Sequence, residues 1–222
     1  MASCLVAVHA QQNANFGVFA GTSYYMGDIN PNRHFYRPGV SLGLIYRINL
    51  NKHYSIRANG YYADLSGSDT DFGNIIHTDR YYEPVDFNTS LIDGTLQFEF
   101  NFLPFVPNSG KWDCTPYVAG GLGYSLIVSS GVRTNLTSSY IKNPVAHMTL
   151  PFGIGVKINL SRRVSAGGEW SFRKTFTDRI DFVQNPAGES SIIHNNDWYS
   201  FAGIFITYKF FKFAQDCPAY SE

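Results

Sequence analysis

The chain has 222 residues and a formal net charge of zero, so it has no electrostatic bias toward nucleic acid or any other polyanion. Charged residues make up 15%, against about 25% in an average globular chain, while aromatics reach 16%, with 15 Tyr and 18 Phe. No apolar run approaches the roughly 20 residues of a helical span, so a chain of this kind that crosses a membrane does so with strands.

The opening stretch, Met1-Ala-Ser-Cys-Leu-Val-Ala-Val-His-Ala10, ends on small residues at Val8-His9-Ala10 and reads as the remnant of a signal peptide cleaved after Ala10, without its basic n-region. A degenerate lipoprotein box at Cys4 is the alternative. Residues 11–222 then form one domain, a length that suits an all-β fold. The first strand runs from Ala14 to Met26, with Phe16, Val18, Ala20, Thr22 and Tyr24 on one face and Asn15, Gly17, Gly21 and Ser23 on the other. A turn-rich segment leads through Pro38 to the second strand, where Val40, Leu42, Leu44, Tyr46, Ile48 and Leu50 alternate with Ser41, Gly43, Arg47 and Asn49. Asn51-Lys52 reads as a two-residue hairpin turn. The third strand, His53 to Asp64, sends Tyr54, Ile56, Ala58 and Tyr62 outward and Ser55, Arg57 and Asn59 inward.

Leu65 to Thr89 reads as a long polar loop. The fourth strand, Ser90 to Phe102, sets Leu96, Phe98, Phe100 and Phe102 against Asp93, Thr95, Gln97, Glu99 and Asn101. Leu103 to Cys114 is a connection with Pro104, Pro107 and Gly110, and the glycine-rich fifth strand covers Thr115 to Val128. After a polar loop from Ser129 to Pro144, the sixth strand, Val145 to Leu160, places Met148, Leu150, Phe152, Ile154, Val156 and Ile158 outside and Thr149, Gly153, Gly155, Lys157 and Asn159 inside. Ser161-Arg162 makes another tight turn into the seventh strand, Arg163 to Phe176. The closing strand, Trp198 to Phe210, has Ala202, Ile204, Ile206, Tyr208 and Phe210 on one face and Phe201, Gly203, Phe205, Thr207 and Lys209 on the other. Taken alone it could be an edge strand of a soluble sandwich. Eight strands joined by alternating short and long connections instead predict an eight-stranded antiparallel up-and-down transmembrane β-barrel, with a small-residue or polar interior, aromatic girdles at the interfaces and short turns facing the periplasm. Its location is then the cell outer membrane, surrounded by lipid. A short periplasmic tail, Phe211 to Glu222, follows the last strand.

The inward faces carry Arg47, Arg57, Lys157, Arg173 and Lys209 against Asp93, Glu99 and Glu169. A lumen of eight strands is just wide enough for side chains, so these charges are expected to pair into a polar plug, with Glu169 against Arg173 and with Trp170 and Phe172 meeting lipid. A narrow pore is an alternative. A second is a rim enzyme acting on lipid A, which needs a base and nucleophile brought together from His77, His147 or His194 and Ser90, Ser200, Asp93 or Asp197. Nothing in their spacing forces this. The six histidines have no zinc spacing and no phosphate loop opens a helix, so no cofactor or metal is expected. Cys114 and Cys217 fall on the periplasmic side, where they either form a disulfide with each other or link one of them to a partner.

Several segments carry a resemblance over nearly the whole mature chain. They are Gly21-Thr-Ser-Tyr-Tyr-Met-Gly-Asp28, Glu99-Phe-Asn-Phe102, Thr115-Pro-Tyr117, Leu150-Pro-Phe-Gly-Ile-Gly-Val-Lys157, Gly168-Glu-Trp-Ser-Phe-Arg-Lys-Thr-Phe-Thr-Asp178, Asp197-Trp-Tyr199 and Ile206-Thr-Tyr-Lys-Phe210. With them the chain resembles the small outer-membrane barrel family of Bacteroidetes that contains PorG. The resemblance implies a non-enzymatic component of the type IX protein secretion system, in contact with the periplasmic ring of the PorK lipoprotein and PorN.

Overall fold

The structure, a computed structural model, describes residues 13–26, 34–68, 86–105, 113–133, 138–141, 145–176 and 198–212. The leader expected over residues 1–10, with Cys4, lies outside these residues, as do His77, His194, Asp197 and Cys217. The strands are β1 (Asn13–Met26), β2 (Gly39–Asn49), β3 (Tyr54–Ser68), β4 (Asp86–Asn101), β5 (Cys114–Arg133), β6 (Ser138–Ile141), β7 (Val145–Asn159), β8 (Val164–Thr175) and β9 (Trp198–Lys212). They form one antiparallel sheet in the order β4-β3-β2-β1-β9-β8-β7-β5-β6. Pairing of β4 with β5 closes eight of them into a barrel, and short β6 hangs on the far end of β5.

The register fixes the shape. Paired residues followed once around the ring run Ala14, Ile48, Ile56, Phe98, Gly120, Phe152, Phe172, Ser200 and back to β1 at Tyr24. The ring therefore closes with a stagger of ten residues (24 − 14). Ten residues at ~3.3 Å against eight strands at ~4.8 Å tilt the strands by about 40°, within the range of closed eight-stranded barrels. Outward residues of β4 are apolar from Ile92 through Leu96, Phe98 and Phe100 to Phe102 just beyond it. At that tilt they make a belt about 25 Å tall, the height of the apolar band on a transmembrane barrel. Aromatic pairs ring both margins. At the end carrying the short turns, Tyr54 contacts Phe100 at 5.4 Å and Tyr208 contacts Phe210 at 5.0 Å. Toward the other end, here the loop end, Phe152 lies 5.8 Å from Trp198 and Trp170 lies 4.9 Å from Phe172.

Three expectations about the connections change. The stretch from Leu65 to Thr89 is not all loop, because β3 and β4 stay paired from Asp64↔Ser90 out to Ser68↔Asp86. Beyond the apolar belt the outward positions face water, so Ser66 and Asn88 disguise an alternation that Leu65 and Phe87 continue on the inside. The end of β5 and all of β6 likewise fall within the expected loop from Ser129 to Pro144. The tight turns are four residues long, not two. Leu50 N and Asn51 N both donate to Tyr54 O, and Asn51 Oδ1 accepts from His53 N and Tyr54 N, each at 2.8 Å. Leu160 N and Ser161 N donate to Val164 O in the same way, with Ser161 Oγ taking the role of the asparagine oxygen. Ser55 and Ser165 close both hairpins by donating to Asn49 and Asn159. The β2–β3 and β7–β8 hairpins are thus one local design, Ile-Asn-Leu followed by a capped turn, used twice.

The interior is less polar than expected. Across the middle, Phe19 meets Tyr61 edge to face at 5.1 Å and Tyr61 stacks on Phe201 at 5.0 Å. Nearer the loop end, Tyr25 meets Phe87 at 5.1 Å among buried Leu65, Leu91 and Ile127. Room for these rings comes from the paired glycines Gly21 and Gly203. A Cβ on Gly203 would lie 2.6 Å from Gly21 Cα and 2.7 Å from Phe19 Cζ.

Candidate functional site

The antiparallel alternation points every second residue of each strand into the lumen, and the stagger decides which strands' residues meet there. Glu99 on β4 receives Arg47 Nε of β2 at 3.1 Å and Lys157 Nζ of β7, with Arg57 Nη1 of β3 at 3.7 Å. Arg47 and Lys157 occupy the same place in the two repeated hairpins, two residues before Asn49 and Asn159, so one carboxylate ties both hairpins together. Arg57 reaches across the barrel to Glu169 on β8, donating from both terminal nitrogens, Nη2 at 3.0 Å. Gln97 Oε1 accepts from Arg57 Nε at 3.2 Å and from Asn59 Nδ2 at 2.9 Å, and Tyr117 Oη donates to Glu169 at 2.6 Å. All of these groups are fully or nearly fully buried. In such a setting an unmatched charge is costly, so the network both fills and fastens the lumen.

A second, smaller cluster lies toward the loop end. Arg173 Nε of β8 donates to Asp93 Oδ1 of β4 at 3.3 Å. Asp93 Oδ2 accepts from Ser125 Oγ at 2.7 Å and Tyr199 Oη at 2.6 Å. The guanidinium of Arg173 lies beside the stacked Phe201 and Tyr61 rings, 5.1 and 5.6 Å from their centroids. The expected pairing of Glu169 with Arg173 is therefore corrected. On one strand, residues four apart stand too far along the barrel to meet, and each finds a partner on the opposite wall. Trp170 does not simply meet lipid: it is half-buried, donates Nε1–H to Tyr24 Oη at 2.8 Å and packs against His34 and Phe35 of the β1–β2 connection. Lys209 faces inward but is half-exposed at the turn end, where its backbone N–H donates to Arg163 O.

The residues considered for rim catalysis do not converge among those described. Ser200 Oγ donates to Ser171 O, and Ser90 Oγ donates to Asp64. His147 is buried beside Ser125 in the ladder, yet both its ring nitrogens are without a hydrogen-bond partner. The turn after β4 folds back under the barrel. Phe105 N donates to Lys52 O, and the Phe105 ring is 4.8 Å from Lys157 Nζ, closing the lumen below the charge cluster. Cys114, the first residue of β5, is exposed beside exposed Asp113. Sequence reasoning placed Gln97 on the polar face of its strand but without a role in the network, and it missed Tyr117, Ser125, Tyr199 and Phe105 as members of this interior. The inward parity of Tyr117, Ser125 and Tyr199 was available; Phe105 lies in a turn, where no periodicity speaks.

The fold is similar to that of Ail, the attachment invasion locus protein of Yersinia pestis, solved with the heparin analogue sucrose octasulfate. Identity is 9% over 90% of this chain and 99% of that one, with a TM-score of 0.50. Neisserial surface protein A matches at 12% identity over 90% and 97%, with a TM-score of 0.49. A major outer membrane protein from Thermus thermophilus matches at 15% over 89% and 99%, with a TM-score of 0.46. No curated protein matches the sequence. Residues 1–219 match the family described as a domain of unknown function, DUF6089, and the chain belongs to that family.

Proposed function

We propose that the protein is a multi-pass outer-membrane barrel serving as a non-enzymatic component of the type IX secretion system, and that it anchors or contacts the periplasmic ring of PorK and PorN. The observation that carries this reading is the filled lumen. Among the described residues, the network around Glu99, the rings above it and Phe105 below it fill the lumen with side chains. What such a barrel offers a machine is a rigid hold in the membrane and a structured end. The exposed apolar belt with two aromatic margins supports membrane residence. The folded-back turn at Phe105, exposed Cys114 and the two capped hairpins supply ordered surface on the side assigned to the periplasm. The identity of the machine rests on the resemblance of the sequence segments to PorG-like barrels. The test is a mild-detergent pull-down of tagged protein from its native membrane, run on reducing and non-reducing gels. Co-purified PorK and PorN are expected, and a band that collapses on reduction would assign Cys114 or Cys217 to a covalent link. Recovery of the barrel without ring proteins would overturn the secretion role.

A further inference from the structure

The described interior does not balance its charge. Arg47, Arg57, Lys157 and Arg173 are buried with only Asp93, Glu99 and Glu169. Arg173 and Asp93 settle each other near the loop end, so the surplus cation belongs to the turn-end cluster. Within that cluster Arg57 is held on all sides by Glu169, Gln97 and Tyr117, and Lys157 is held by Glu99. Arg47 is different. It gives only Nε to Glu99, and Nη1 and Nη2 are buried with no acceptor. The Phe205 ring lies 5.3 Å from its guanidinium carbon, but a π face attracts the charge without accepting the four in-plane N–H bonds. A second orphan adjoins it. Asn15 of β1 is the ladder partner of Arg47, and its side-chain oxygen is also buried without a partner. The next residue along this row is inward-facing Lys209 of β9, itself half-exposed at the turn end.

We infer that the terminal nitrogens of Arg47 hold one small monovalent anion of the halide or carboxylate class at the turn end of the lumen. A guanidinium fork in a dry site is the strongest anion donor a protein has, and an anion there removes the surplus charge and satisfies the free N–H groups together. The Asn15 amide, turned to present its NH2, is a second donor, and Lys209 lends the approach positive potential. Such a site stands or falls independently of the secretion role.

The experiment compares the full chain with a chain ending at Lys212, both crystallised without chloride and soaked in sodium bromide. A bromide anomalous peak at Arg47 Nη1 and Nη2 in the full chain supports an anion taken from solution. A peak only in the shortened chain supports a carboxylate of the tail, Asp216 or Glu222, as the occupant. In solution, unfolding midpoints in detergent are read with bromide against gluconate, a six-carbon anion too large for the filled lumen, at fixed ionic strength. The bromide concentration giving half the stabilisation should rise about tenfold or more in Arg47→Lys, which keeps the charge but loses the fork. No peak in either chain, with midpoints indifferent to the anion, overturns the inference, and this outcome needs no Arg47 variant to fold.

Discussion

At the turn end of the lumen, Glu99 and Glu169 gather three cations from strands on opposite walls; toward the loop end, Asp93 meets Arg173 alone beneath a layer of rings and aliphatic side chains. Both arrangements fill the same narrow tube, but they do so with different physics. The lower cluster is directional. Its ion pairs from β2 and β7 to β4 and from β3 to β8 join strands that are not neighbours in the sheet, so they pin the relative height of separate hairpins. The upper half is held by area. The packed rings of Phe19, Tyr61 and Phe201 tolerate small slips that a salt bridge does not. The more tightly specified end is the end closed by Phe105 and carrying the capped hairpins.

The largest disruption should ignore this division. Gly203→Val places branched carbon where 2.6 Å separates a Cβ from Gly21 Cα, on a strand pair that closes the ring. The variant is expected not to form the barrel at all, read as loss of the heat-modifiable band on a gel. Retention of that band would show that β1 and β9 can separate without losing the fold. The next effect separates the halves. Glu99→Gln leaves three buried cations around a neutral amide and should cost about 3–5 kcal/mol, measured by urea unfolding in detergent. Asp93→Asn removes the charge facing one guanidinium that already lies beside two rings, and should cost about 1.5–3 kcal/mol. An equal or reversed order would mean that the upper pair, not the lower cluster, fastens the barrel.

Much of this was legible in the chain. The even/odd alternation of Leu96, Phe98 and Phe100 against Gln97 and Glu99 fixes both the strand and its facing, because lipid and lumen demand opposite residues. The same parity puts each of the charged lumen residues on the inside. What parity cannot supply is the stagger, which is a property of the closed ring. Without it Glu169 seems to belong with Arg173, four residues away, when its partner Arg57 is 112 residues away. Strand ends were lost for a related reason: past the belt, water replaces lipid outside, and the polar outward face of Ser66 and Asn88 reads as loop. The β5–β6 extension and the fold-back of Phe105 follow from tertiary pairing that no local pattern encodes.

Three buried tyrosines give the finest comparison, because each variant deletes one oxygen and leaves the ring. Tyr117 donates to Glu169 in the lower cluster and Tyr199 donates to Asp93 in the upper one, both at 2.6 Å. Tyr117→Phe and Tyr199→Phe should each cost about 1.5–3 kcal/mol, as hydrogen bonds to charged groups do. Tyr61 lies between the clusters with its hydroxyl buried and without a partner. Tyr61→Phe keeps its stacking on Phe201 and its contact with the Arg173 guanidinium while removing a polar atom that gains nothing, so its unfolding midpoint should match or slightly exceed that of the parent. A loss comparable to the other two would mean that the Tyr61 hydroxyl is hydrogen-bonded in the membrane. The middle of the lumen would then be a polar bridge joining the two clusters, and the division between a charged lower half and a packed upper half would dissolve into one continuous network.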